Sequence, residues 1–572
     1  MNRNFILLFL MIIICNGCKK KETVGPNNNV GPPPITTTTN PPPNTQHISV
    51  LTQHNDNTRA GLNNQETKLT TANVNTQLFG KLFVMLVDDQ VYAQPLVVGN
   101  LSIGSGNHNV VFIATVSNSV YAYDGDNGSL YWKKNFTVSG MRPPNSTDMS
   151  SSWCTPYTDF TSNIGIAGTP VIDTIAQTIY FVARSTNGSN FVQYLHAVNI
   201  VTGNEQTGSP VAISASMSGS GDGSVNNVVS FDPRRNNQRQ GLTLVNGVVY
   251  ISFSSHCDWN PYHGWILGYN STTLQQQIVY NDTPNGENGG LWESGQGMAA
   301  DAQGNLYVVS GNGTVGEGNL YVSSGNGTDE INANPDPTDL TDRGESALKL
   351  SPSGSTLQVS SYFTPTNYLD LNNNDLDYGV MGTLLIPNSS YYFTGSKDGN
   401  LYLLNKDNMG GYSSSANQVQ QTIPLNANFH CQPTYYLGSS NEFVYVWSEN
   451  DQLRALSFNR SSNTFATNEI VSTASGPTGG CGADLSVSSN GNTDGTGILW
   501  ASYAINGDAA TTVSPGILMA FDANNVTKEI WDSNQTLSDG LGSYAKFSSP
   551  TVADGHVYLA TFSNQVVVYG LK

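Results

Sequence analysis

Apolar and polar residues alternate with a period of two along most of this chain, in short runs separated by polar turns. YAYDGDNGSLYW (Tyr121–Trp132), LHAVNIVTGNE (Leu195–Glu205), ILGYNSTTLQ (Ile266–Gln275) and LMAFDANNVTKEIW (Leu518–Trp531) follow one scheme. A strand ends in Ala or Gly, any residue, then Asp or Asn; a polar turn follows, and a Trp often opens the next strand. Alternation marks half-buried strands and the turn residues mark hairpins. Upstream of each lies a second pair, as in GTPVIDTIAQTIYFVA (Gly168–Ala183) and SSPTVADGHVYLATF (Ser549–Phe562). Together they predict a four-stranded unit every 45 to 70 residues or so.

Seven complete units begin near Val91, Gly165, Gly241, Gln296, Gly379, Phe429 and Cys481. An eighth, Lys546 to Leu571, runs out after three strands, and GKLFVMLV (Gly80–Val87) is the spare strand that would complete it. Units stacked radially protect their sheet edges by repetition. The pattern therefore predicts an all-β, eight-bladed propeller closed by an N-terminal strand, with seven blades as the alternative.

One phrase is doubled: Gly304–Thr314 and Gly318–Thr328 differ only at Val309 against Ser323. Both copies cannot be strands of a meander without sending every later loop to the wrong face. The first copy follows Ala300 through a short turn, and hairpins favour loops of about 2–5 residues. Leu306–Ser310 is thus expected in the sheet, with Leu320–Ser324 displaced into a loop.

The ends change the picture. Arg3 and the apolar run Phe5–Ile14 form a secretory signal, too short to span a bilayer. It closes on Cys-Asn-Gly-Cys, which resembles a bacterial lipobox with lipid on Cys18. Residues 1–17 are expected to be removed. Residues 18–47, rich in Pro, Thr and Asn, are expected to tether residues 48–572 to a membrane. The expected location is the bacterial cell envelope, extracytoplasmic and either periplasmic or at the outer membrane. Charged residues make up only 11% of the chain, and the net charge of −19 argues against nucleic acid as a partner. In an oxidising compartment Cys154, Cys257, Cys431 and Cys481 could form two disulfides.

The scheme Ala122, Asp124, Gly128, Trp132 resembles the tryptophan-docking repeat of quinoprotein dehydrogenases, propellers that bind pyrroloquinoline quinone (PQQ). Similar repeats occur in non-catalytic lipoproteins of outer-membrane assembly, so the resemblance implies fold before activity. Five short segments resemble the family's site. In SSHCDWNPYHGW (Ser254–Trp265) Asp258 takes the place of a calcium carboxylate, and the two histidines show no second pair of the kind zinc requires. Gly289-Gly290 with Trp292 resembles the segment whose indole underlies the quinone. The Asn of LYVVSGNG, present twice as Asn312 and Asn326, matches a calcium ligand. In DLNNNDLDYGVMG (Asp370–Gly382), which is not an EF-hand, Asp377 takes the place of the catalytic base and metal neighbour. In GSKDGNLYLLNKDNMG (Gly395–Gly410) Lys397 takes the place of the cation at the quinone carbonyl.

The family's adjacent cysteines are absent, and so is a C-x-x-C-H haem motif. Arg234, Arg235 and Arg239 in FDPRRNNQR could hold an anion or merely serve turns. Two functions follow. One is a lipid-anchored propeller without catalysis that binds a protein or glycan through long face loops. The other is a PQQ- and calcium-dependent dehydrogenase of an alcohol or sugar.

Overall fold

In the computed structural model, which describes residues 47–150, 155–316, 338, 340–425 and 427–572, eight sheets stand around one axis. Their innermost strands are Leu96–Ile103, Val171–Asp173, Thr243–Val245, Ala299–Ala300, Leu384–Leu385, Thr434–Leu437, Asp484–Ser488 and Thr551–Ala553, which number the blades one to eight. Within each blade the strands follow as an antiparallel meander outwards. Blade eight takes its outer strand from the N-terminal side: Phe79–Leu86 pairs antiparallel with Gln565–Leu571, Lys81 opposite Tyr569. The eight-bladed, N-terminally closed ring expected from the repeats is what forms.

The repeat residues explain how blades adhere. Asp124 Oδ1 accepts the backbone N–H groups of Asp126 and Asn127 at 3.0 and 3.1 Å, fixing the turn that Gly128 completes at φ +73°. Trp132 then leans onto blade two, where its indole N–H donates to the Ile200 carbonyl at 3.0 Å. A Cβ on Gly203 would lie 2.8 Å from that indole, so glycine is needed there for contact. Apolar faces of successive blades close between them, as Val110 and Phe112 do with Ile179 and Phe181. Trp531, fully buried, plays the same part at the closure, packing edge-on against Phe79 and Tyr569.

The segment from Val50 to Asn63, where no strand pattern is visible, lines the axis itself. It bonds to the innermost strand of every blade, or to the residue beside it. Val50 pairs with Val97 of blade one, and the Leu51 carbonyl accepts from Ile172 of blade two. The Asn57 amide donates to Leu244 of blade three. The carbonyls of Asn57, Thr58, Ala60 and Gly61 accept from Ala300, Leu385, Tyr435 and Val487 of blades four to seven at 2.7–2.9 Å. Asn63 Nδ2 donates to Val552 of blade eight at 2.8 Å. Arg59, wholly buried, spends its guanidinium on Gln53 O, Thr52, Thr243 and the carbonyls of Gly297 and Met298. Hydrogen bonding to unpaired inner-strand groups is how this irregular segment is held. The propeller's axial channel is therefore filled by its own chain.

Leu306–Val309 is the second strand of blade four, as the short-turn argument requires. The second copy, Leu320–Ser324, lies outside the described residues, as do residues 1–46 with Cys18. Asp370–Gly382 is not all turn: Tyr368–Asn373 forms a short helix and Tyr378–Val380 a single 3₁₀ turn. Cys257 is disulfide-bonded, whereas Cys431 and Cys481 are free and buried.

Candidate functional site

The loops joining second to third strands, and those joining blades, share one face, and blades three to five bring theirs together near the axis. Gly289 N donates to the Asn312 carbonyl at 2.6 Å and Gly311 N to Gly290 O at 3.0 Å, laying the two segments side by side. Gly311 has no room for a side chain. A Cβ there would sit 2.8 Å from Asp377 Oδ1 and 3.0 Å from Trp292 Cδ1, so this glycine lets the carboxylate and the indole approach one another. Asp377, 6% exposed, accepts the Asn312 N–H on Oδ1 at 2.9 Å and the Lys397 ammonium on Oδ2 at 2.5 Å. Lys397 also reaches Asp375, at 3.3 Å from Oδ1, and Asn312 Nδ2 donates to that same oxygen at 2.9 Å. Asp258 accepts from the Tyr262 hydroxyl at 2.7 Å.

Charge ties the group together. Burial pushes the Asp258 carboxyl up to about 7, helped by Asp377 and Asp375 and opposed by Lys397. Burial also raises Asp375, again with Asp377. Burial would raise Asp377 too, but Lys397 and the Asn312 N–H outweigh it and hold this carboxyl below the ordinary range. Lys397 is raised despite its burial, because Asp377 and Asp375 favour the ammonium. His430 is pushed down to about 3 by burial and by Lys397, so its imidazole is neutral.

Of the residues expected from sequence, Asp258, Trp292, Asn312, Asp377 and Lys397 all fall in this one cluster; Asn326 lies outside the described residues. No motif in the sequence singles out Tyr262, His430 or Glu345. Glu345 is fully buried behind the 3₁₀ turn, accepts the Tyr378 N–H at 2.7 Å, and is raised well above the usual range by burial and Asp377. Asp375 belongs to the DLNNNDLDYGVMG segment, where it stands in the place an EF-hand needs glycine. The two histidines of the 254–265 loop are spent elsewhere. His256 meets Tyr157 and Arg184, and His263 meets the carbonyls of Thr283 and Asp222.

The cluster's donors suit a hard cation: carboxylates at Asp258, Asp375 and Asp377, and an amide oxygen, Asn312 Oδ1, that is buried without any partner. A divalent ion would relieve the repulsion that lifts Asp258 and satisfy that orphan oxygen. Among the described residues, no set of three His, Cys, Asp or Glu side chains stands ready to enclose a metal. The fit is of donor chemistry, with Lys397 supplying one positive charge already.

No family model matches the sequence, and no curated protein does. Solved structures match by shape. The quinohemoprotein alcohol dehydrogenase ADHIIG of Pseudomonas putida HK5 superposes over 91% of this chain and 80% of its own, with TM-score 0.55 and 13% identity. The quinohemoprotein alcohol dehydrogenase of Comamonas testosteroni matches over the same shares at TM-score 0.54 and 12% identity. A europium-containing methanol dehydrogenase matches over 91% of this chain and 98% of its own, at TM-score 0.56 and 11% identity. The fold is thus that of the quinoprotein dehydrogenase propellers. At such identities the likeness concerns the fold alone.

Proposed function

We propose that this chain is a lipid-anchored, extracytoplasmic propeller that binds PQQ with calcium on its loop face over blades three to five and oxidises an alcohol or sugar. The observation that carries this reading is chemical convergence. A propeller brings face loops together whatever their sequence, but here the residues meeting over blades three to five are oxygen donors, one cation and one flat indole. Asp258, Asn312 and Asp377 would hold the calcium ion, and Trp292 would underlie the quinone. When bound, the quinone accepts a hydride and the metal polarises its carbonyl.

The chain's own residues do the rest. Asp377, held ionised, takes the proton of a substrate hydroxyl. Turning the Lys397 ammonium from Asp377 towards the ligand frees Oδ2 for that proton and sets a positive charge where negative charge develops. Gly311, having no side chain, leaves the space between the base and the indole open. The test is dye reduction by the mature protein, loaded with calcium and PQQ, across a panel of primary alcohols and aldoses. Turnover with any member supports the reading, and none across the panel overturns it.

One observation favours the reading without catalysis, in which the face loops bind a protein or glycan. The Lys397 ammonium already sits between Asp375 and Asp377, where it neutralises part of the charge a metal would meet. In that case calcium leaves the protein's quinone affinity unchanged.

A further inference from the structure

A cavity of about 470 Å³ opens at the rim of the ring between blades one and two. Lys134 and Asn135, from the outermost strand of blade one, and Phe136 just beyond it form one wall. Tyr194, His196, Asn204 and Glu205 of blade two form the other. Blade two breaks the chain's own repeat at this place. Aligned on the Ala or Gly near the end of the third strand, His196 stands where blades one, three and seven have Tyr121, Leu267 and Met519. Aligned on the turn glycines Gly128 and Gly203, Glu205 stands where blade one has Leu130, and Thr207 replaces the docking tryptophan. The two departures meet, with His196 Nδ1 lying 2.7 Å from Glu205 Oε1.

The histidine does not serve packing. It is 4% exposed, stacks on Phe181 at 5.1 Å and meets Phe136 edge-on at 5.2 Å, yet its Nε2 is buried without a partner. A buried polar atom with no hydrogen bond costs stability that the Leu or Met of the sister repeats does not. What His196 achieves is the orientation of Glu205. Its Nδ1–H donates to Oε1 and the Ser209 hydroxyl donates to Oε2, so a carboxylate whose side chain is 31% exposed is fixed in the cavity wall. A carboxylate has about four lone-pair sites, and these bonds take one on each oxygen. Local rules broken together, at a cost in stability, are expected where a chain carries a function.

We propose that this cavity is a carbohydrate-binding site, which holds a neutral sugar ring between Phe136 and Tyr194 with its hydroxyls on Glu205. The open lone pairs of the carboxylate accept from neighbouring hydroxyls, and the amides of Asn135 and Asn204 supply both donors and acceptors. Phe136 and Tyr194, both half-buried, offer apolar ring surface to the C–H face of the sugar. Lys134 and Glu205, one of each sign, leave the wall without the dominant charge that an ionic ligand needs. The volume falls within the range of about 300–1,000 Å³ usual for small-ligand pockets. His196 is a positioning residue that acts through Glu205. The site belongs to blades one and two and does not rest on the quinone reading of blades three to five.

The test is calorimetric titration of the mature protein with maltotriose, cellotriose and triacetylchitotriose, and with tetramethylammonium as the cationic rival for an aromatic wall with a carboxylate. At least one trisaccharide should bind. Glu205→Leu and His196→Met, which restore residues of the sister repeats, should each weaken it by about tenfold or more, the size of a lost hydrogen bond to a charged group. Both variants should melt at or above wild type, since each removes a polar group that packing does not need. His196→Asn, whose amide N–H can replace the Nδ1–H donor, should recover most of the affinity, which a purely structural role would not allow. Quinone titrations should be the same in these variants as in wild type, so the failure of one site is distinguishable from the failure of the other. No binding by any trisaccharide overturns the proposal, as does trisaccharide binding that survives Glu205→Leu. Binding of tetramethylammonium alone overturns it in favour of a cation site. Where His196→Met fails to fold, Glu205→Leu and Tyr194→Ala decide, because retained binding in both overturns the site and loss in either folded variant supports it.

Discussion

Lys397 Nζ lies 2.5 Å from Asp377 Oδ2, and the second oxygen of that carboxylate is held at 2.9 Å by the N–H of Asn312. The pair spans blade five's face loop and the connection from blade four, so it fixes the geometry of the cluster as well as its charge. Asp377→Asn keeps the shape and removes the charge. It should fold with an unchanged circular dichroism spectrum and lower quinone-coupled turnover by about 100-fold or more, the scale of losing a general base. Retention of wild-type turnover would remove Asp377 from the chemistry.

Gly61 lies in the axial segment at φ +64°, and a Cβ on it would meet the His54 ring at 2.5 Å. That ring is buried, its nitrogens 2.9 and 3.0 Å from the carbonyl oxygens of Arg59 and Leu485, one of which accepts its single N–H, and it cannot yield cheaply. Gly61→Ala should therefore lower stability by about 1–3 kcal/mol, from left-handed strain and overpacking together. Chemical denaturation measures it. An unchanged midpoint would mean that the axial segment is not held as described.

The ring closure predicts a sharp truncation boundary. A chain beginning at His47 should fold, because residues 47–572 form one compact unit. A chain beginning after Val87 loses the axial segment and the strand pairing with Gln565–Leu571, exposing an edge, and should aggregate. Trp531→Ala attacks the same seam from inside and should lower stability by about 3–5 kcal/mol. Size-exclusion chromatography and thermal unfolding report these outcomes.

Several acids away from the proposed ligands are buried and raised. Burial pushes Glu293 up to about 8, Asp282 up to about 7 and Asp484 up to about 7. The unfolded chain releases these protons near pH 4 whereas the folded chain keeps them, so between those values the folded state binds more protons. Stability must then fall as pH rises from about 4 to about 8 through these groups. The melting temperature should be higher at pH 5 than at pH 8. A rise over that interval would show that these carboxyls are ionised in the folded protein.

How much of this was legible in the sequence depends on where each residue's partners lie. The propeller was readable because the turn at Asp124 and Gly128 and the docking of Trp132 are local or reach only the next blade. Asp258, Trp292, Asn312, Asp377 and Lys397 were readable by resemblance, each lying in a short motif. The axial segment was not. Its polar, irregular residues satisfy their hydrogen bonds one blade at a time, with partners such as Val487 and Val552 more than four hundred positions away. His430 and Glu345 look like ordinary loop residues until burial and their neighbours are known.

The cluster around Asp377 is proposed as the site of a calcium-assisted quinone. The most direct measurement is the dissociation constant of PQQ for the mature protein, taken by calorimetry with calcium present and again after chelation. Binding is expected to be micromolar or tighter with calcium and weaker by tenfold or more when calcium is removed. Absence of binding at micromolar concentration, or an affinity indifferent to calcium, would contradict it.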